Sequence, residues 1–520
     1  MEHEGKGVLG HGEEGTPAPP LLRRKPPAQV STDLSTACGI LVPFESVDSA
    51  PGGPGRDGSN PQPSVEGSFP EPRADLKGVL SLAVPALGAL VIEPLLLLID
   101  SAMVGHLGTV PLAALSLAST ILATVAGVFV FLAYSTTALT ARALGAGKPE
   151  QGLQGGIQAM WLAAAIGTVT GALLFVAAPW MISLMGAGPE VGAQAVTYLR
   201  AGAFGLIGML VILAATGTLR GMLDMRTPLL VLAAGAVLNV SLNLLLIYGL
   251  GLGILGAGVG LAVTQTLMAI AVSAKVIAAA RGHSLSLRPS RAGTLAAAGE
   301  GAPLFVRTLS LRLALLATVA VATRAGTDAL AGHQVVNSIW TLTAFALDAL
   351  AIAAQSLVGV LLGSGNTRSL SKLIRKLTLW GALTAAALGA VVAATSKWLP
   401  LIFGPSPEMH QAASSALVVA GVLMPISGVV FVLDGVLIGA SESKYLAVAG
   451  VITLVAYLPS LWLLMRWIAS TAPLPLSGQT TALTWLWVAF AGWFMALRAV
   501  TNWWRTFGSR HRLVSRPTPA

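Results

Sequence analysis

Residues 229–250 read Leu-Leu-Val-Leu-Ala-Ala-Gly-Ala-Val-Leu-Asn-Val-Ser-Leu-Asn-Leu-Leu-Leu-Ile-Tyr-Gly-Leu, with no Lys, Arg, Asp or Glu among them. As a helix the run is roughly 33 Å long, enough to cross a hydrocarbon layer of about 30 Å. Inside such a layer the backbone must satisfy its own hydrogen bonds, so the run reads as a membrane-spanning helix. The composition agrees: 54% of the 520 residues are hydrophobic and 10% charged, against about 25% charged residues in a soluble domain. A soluble fold of this length needs a charged skin that this chain does not have.

Working outward, apolar periods predict helices near 78–105, 111–143, 153–184, 190–219, 226–249 and 255–281. A second set falls near 294–324, 329–362, 368–401, 407–438, 443–468 and 479–506. Basic residues gather after the even-numbered helices, among them Arg142, Lys148, Arg220, Arg226, Lys275, Arg281, Lys372, Arg375, Lys444, Arg505, Arg510 and Arg512. Both termini are therefore expected on the cytoplasmic side of a plasma (inner) membrane. The same pattern accounts for the net charge of +9 without a nucleic-acid partner. Trp398, Trp467, Trp503 and Trp504 near helix ends suit the membrane interface. Cys38 is the only cysteine, which excludes a disulfide framework and a cysteine zinc site.

Residues 1–75 are rich in Gly, Pro, Ser and Glu and are expected to be a disordered cytoplasmic tail. Acids such as Glu13 and Glu14 argue against a transit peptide, and no compact apolar core follows Arg23-Arg24-Lys25 as a signal peptide requires. Residues 76–288 form the first lobe, 289–506 the second, and 507–520 a second cytoplasmic tail.

One spacing organises the helices. Gly108-Thr109 recurs 218 residues later as Gly326-Thr327. The same shift carries Pro85 to Pro303, Leu144-Gly145 to Leu362-Gly363, Pro189-Glu190 to Pro407-Glu408, and Arg226 to Lys444. Six helices per repeat is an even number, so both repeats enter the membrane with the same orientation. The fold expected is all-α, with two six-helix bundles related by a pseudo-twofold axis along the membrane normal. Bundles so related can rock about a site between them, which is the physical basis of alternating access.

Between helices 2 and 3 the chain has Leu-Gly-Ala-Gly-Lys-Pro-Glu-Gln (144–151), not the charged loop of the major facilitator proteins. It resembles instead the MATE (multidrug and toxic compound extrusion) family, in particular its DinF-like branch. The likeness rests on 93–108 (Glu-Pro-Leu-Leu-Leu-Leu-Ile-Asp-Ser-Ala-Met-Val-Gly-His-Leu-Gly), on 216–228, on 239–251 and on Ala346-Leu-Asp-Ala-Leu-Ala (346–351). The resemblance implies a V-shaped pair of lobes around a central cleft. It also implies export of small amphipathic organic cations driven by a proton or sodium gradient.

Asp100 is the first candidate for coupling. A carboxylate well inside a helix of this kind costs roughly 2.5–3.5 kcal/mol, and protonation relieves that cost. By resemblance it stands at the family's first-helix coupling acid; the alternative is an acid near the helix end that reaches water. Glu93, the second candidate for proton coupling, lies seven residues earlier, two turns away and nearly on the same face. Pro85 and Pro94 remove helical hydrogen bonds and make the first helix easy to bend. Glu93 alternatively pairs with Arg307 or Arg312. Asn239 and Asn243, four apart, share a face of the fifth helix, and Tyr134 is a further polar group in the second.

In relatives the second asparagine position is commonly Asp, and Leu261 stands where sodium-binding members carry a hydroxyl. The loss of a charge and an oxygen weakens a sodium site and makes a proton the expected coupling ion, with sodium the alternative. Asp348, Asp434, Arg307 and Arg312 form a second candidate polar site, as ion pairs or as substrate contacts. Neither a P-loop nor a hydrolase elbow is present, so the chain is expected to be a transporter without a cofactor, monomeric in its bilayer. A lipid-linked oligosaccharide flippase and a non-transporting receptor remain as rivals.

Overall fold

A computed structural model describes residues 75–471 and 473–508; all of the expected tails but residues 75, 507 and 508 lies outside them, Arg510 and Arg512 included. Among the described residues, twelve helices are long and apolar enough to span a membrane. They are α1 (Leu76–Gly105), α2 (Thr109–Gly145), α3 (Pro149–Leu184), α4 (Pro189–Gly221), α5 (Arg226–Gly249) and α6 (Gly253–Gly282) in one half. The other half holds α7 (Arg291–Ala325), α8 (Thr327–Gly363), α9 (Ser369–Ala394), α10 (Pro407–Gly439), α11 (Ser443–Thr471) and α12 (Leu476–Phe507).

Local chemistry sets the helix ends. The side chains of Asp75, Ser290, Asn366 and Ser406 accept from backbone N–H groups in the first turns of α1, α7, α9 and α10. Pro149, Pro189 and Pro407 open α3, α4 and α10, each followed by a glutamate that suits the positive helix end. On α3, Val169, Leu173, Val176, Trp180 and Leu184 are exposed at helical spacing, a stripe that only lipid would cover without cost.

The repeat extends to the backbone. Gly108 and Gly326 adopt φ of 127° and 128°, Gly147 and Gly365 69° and 70°, and the non-glycine pair Leu223 and Ser441 64° and 55°. Each pair is 218 residues apart. The 4→5 and 10→11 turns are closed by the same backbone bonds, Asp224 N to Leu219 O and Glu442 N to Leu437 O.

The halves meet on that axis. A Cβ on Gly145 would fall 1.9 Å from the Val360 carbonyl oxygen, and one on Gly363 would fall 2.1 Å from that of Arg142. Shifting either pair by 218 residues produces the other, so the pseudo-twofold runs between α2 and α8. At this end, which bears Arg142, Lys148 and Arg281, one apolar core joins both halves, with Val79, Leu82 and Leu210 packed together with Leu350, Leu357 and Leu437. At the opposite end there are two cores. Met103, Leu115, Leu199 and Ile254 belong to the first half alone, while Val321, Val336, Leu417 and Trp487 belong to the second. The two lobes thus share one core at the basic end and keep a separate core each at the other. The 283–290 connection is tied to α3, where the Gln158 amide bonds Arg288 O and Ser290 N and the Trp161 indole donates to Leu287 O.

Candidate functional site: two charged centres that break the repeat

The first centre lies in the first lobe, in its half away from the basic end. Asp100 is 7% exposed. Asn243 Nδ2 donates to Asp100 Oδ1 at 2.8 Å and to Asn239 Oδ1 at 3.2 Å. The asparagines share a face because they are one turn apart, and the helix widens into a π turn, Leu244–Gly249, directly after Asn243. Gly260 of α6 makes room: a Cβ there would fall 2.2 Å from Asn243 Oδ1. That oxygen and the hydroxyl of Thr264, one turn along α6, are buried without partners. Among the described residues no cation pairs with Asp100; its only side-chain hydrogen-bond partner is a neutral amide.

Glu93 behaves differently from its expected stripe-mate. Its side chain is exposed. Pro94 follows it within α1 and Pro85 precedes it by two turns, so the helix that carries both acids lacks two backbone donors between its basic end and Asp100. The expected alternative of a Glu93 ion pair is not found. Arg307 pairs with Asp434, and Arg312 is an exposed cation laid over Gly127 of α2, where a Cβ would fall 2.2 Å from its Nη2.

The second centre lies in the second lobe and reaches the interface. Arg307 of α7 and Arg498 of α12 both donate to Asp434 Oδ2, and Asn502 Nδ2 donates to Oδ1 at 2.6 Å. The Arg307 guanidinium stands 5.8 Å from the ring centre of Tyr134 in the other lobe. Tyr134 OH in turn donates to Asp348 Oδ2 at 3.4 Å, and Gln355 Nε2 donates to the Tyr134 carbonyl at 2.6 Å. Tyr134, expected with the asparagines, therefore belongs to the second centre and bridges the lobes. Tyr134→Phe removes one long hydrogen bond to the Asp348 carboxylate, worth about 0.5–1.5 kcal/mol at that distance. It is expected to move the closed–open equilibrium at the basic end about 2–10-fold toward opening, read as the distance distribution between spin labels on the basic ends of α2 and α8. An unchanged distribution would remove the bond from the closure.

Several participants were missed from sequence. Arg498 and Asn502 are one turn apart on α12, a spacing that signals a shared face, but aromatic neighbours drew the reading of that helix toward the interface. Arg220, read as a marker of the basic side, is 9% exposed and within electrostatic reach of Asp348. Arg200 serves the backbone. Pro179 lacks an N–H and frees the carbonyl of Phe175 four residues earlier, and Arg200 Nε donates to that carbonyl at 3.2 Å.

Both centres interrupt the repeat. A shift of 218 carries Asp100 to Thr318 and Asn239 to Tyr457, which bond each other at 2.8 Å as a neutral pair. The same shift backwards carries Asp434 to Thr216 and Arg307 to Ala89. The chain thus has two like lobes, each with its own buried acid site.

The MatE family profile matches residues 85–245 and again 303–463, the same 218-residue offset. The chain belongs to the MatE family of multidrug efflux transporters, and it is a transporter rather than an enzyme. It is 30% identical over 440 residues to the protein DETOXIFICATION 44, chloroplastic, of Arabidopsis thaliana, covering 82% of this chain and 81% of that one. It is 27% identical over 421 residues to the DNA damage-inducible protein F of Escherichia coli, covering 79% and 92%. Among solved structures, MATE in complex with MaL6 superposes with a TM-score of 0.73 at 20% identity, over 84% of this chain and 98% of that one.

Proposed function

We propose that the chain exports amphipathic organic cations in exchange for protons, with Asp100 as the group that takes up and gives back the proton. The observation that carries this reading is the contrast between the two buried carboxylates. Asp434 is held by two arginines and an amide, so its charge is committed to the fold. Asp100 has only Asn243, an amide that tolerates either protonation state of the second oxygen. The equivalent place in the other lobe holds the neutral Thr318–Tyr457 pair instead of an acid.

Protonation of Asp100 favours one lobe arrangement over the other only where the two states bind the proton unequally. The proline-broken α1 is the element through which that difference reaches the cleft. The basic end faces the side from which the chain inserts, the cytoplasm or its organellar equivalent. The end at which each lobe keeps its own core then faces the opposite side.

Sodium coupling is the second reading. It is favoured by the unpartnered oxygens Asn243 Oδ1 and Thr264 Oγ1. Against it, Asn243 Nδ2, a donor, points between Asp100 Oδ1 and Asn239 Oδ1, where a cation would need oxygens. Export of a fluorescent organic cation from proteoliposomes under an imposed proton gradient, and separately under a sodium gradient, decides between them. Uphill movement with the proton gradient alone is expected; movement with sodium alone would overturn the proton reading. In the same assay Glu93→Gln is expected to raise the half-saturating cation concentration several-fold while leaving the gradient dependence intact, since Glu93 is exposed and unpaired. Loss of gradient dependence would place Glu93 in the coupling step instead.

A further inference from the structure

The charges around Asp434 do not balance. Arg307 and Arg498 converge on one carboxylate oxygen, and no other carboxylate among the described residues pairs with either of them. The wider cluster keeps the surplus: Arg220, Arg307 and Arg498 face Asp348 and Asp434, three cations against two acids. These groups lie within the membrane-spanning part of the fold, where an uncompensated charge is costly.

Guanidinium donors are also left over. Each arginine carries five N–H groups. Arg307 Nε is buried without a partner, and Arg498 Nη1 reaches only the Met495 sulfur, at 3.7 Å. Beside them is a small cavity between α7, α10, α11 and α12, lined in its polar part by Arg307, Asp434, Thr453, Arg498, Thr501 and Asn502, with room for one water-sized group. A surplus positive charge, unused guanidinium donors and a space of that size occur at one place.

We propose that this cavity in the second lobe is a binding site for a small inorganic anion of chloride size, held between Arg307 and Arg498. The anion neutralises the surplus charge and accepts the leftover donors. A larger carboxylate or phosphate exceeds a space that holds one water-sized group. The site is separate from Asp100, so it stands or falls independently of the proton-coupling reading.

The test uses the purified full-length protein at constant pH and ionic strength, with sodium chloride or sodium bromide replaced stepwise by sodium gluconate. A saturable upward shift in melting temperature with chloride and bromide, absent in Arg498→Gln, is the expected result. Coincident curves in chloride and gluconate, or an equal shift in Arg498→Gln, would overturn the proposal and leave water as the occupant. Because Arg498→Gln removes a buried partner and is liable to misfold, crystals of the wild-type protein grown in bromide give an independent reading. Anomalous density between the two guanidiniums supports the site, and its absence at saturating bromide refutes it.

Discussion

Asp100→Asn is expected to abolish uphill export while leaving downhill exchange of substrate measurable. Asparagine keeps the shape of the side chain and its oxygen toward Asn243 Nδ2, so the local hydrogen bond at 2.8 Å has a replacement acceptor. What it removes is the ability to differ by one proton between two lobe arrangements. Moving a two-state equilibrium from 1:99 to 99:1 requires about 5.5 kcal/mol of differential binding. A side chain that binds no proton supplies none of it. Substrate accumulation against its gradient should fall to the level of empty vesicles, with equilibrative flux retained. Full retention of uphill transport would remove Asp100 from the coupling step.

The second large effect is on stability. Asp434→Ala strands Arg307 and Arg498, two guanidiniums whose side chains are 12% and 11% exposed, without their shared carboxylate. Removing one partner from a buried ion pair costs about 3–5 kcal/mol. Asp434→Ala should therefore lower the thermal midpoint in detergent far more than Asp100→Ala, which removes a carboxylate bonded to one neutral amide and costs about 1–3 kcal/mol. Equal losses in the two variants would contradict the distinction drawn between a structural and a titrating acid.

The helix count and the pseudo-twofold were legible because each depends on local or periodic signals. A charge-free run such as 229–250 has one stable outcome in a bilayer, and a 218-residue offset survives in loop glycines whose positive φ a side chain would strain. The sites were only partly legible. Asn239 and Asn243 share a face by helical geometry alone, but nothing in the spacing says that α1 brings Asp100 to them. Arg220 carried a false signal, because an arginine at a helix end marks membrane orientation in most cases, and here it is buried opposite Asp348 instead. Glu93 shows the limit of helical phase. Two turns from Asp100 and nearly in register, it is exposed where Asp100 is buried, because helix packing, not phase, decides which acid is covered.

The claim that Asp100 exchanges its proton for substrate is tested most directly by counting protons in weakly buffered solution. When a cationic substrate is added to the purified protein near the pH at which the acid is protonated, competition for one site predicts release of about one proton per substrate bound. Asp100→Asn should bind substrate and release none. Proton release that is undiminished in Asp100→Asn would contradict the account.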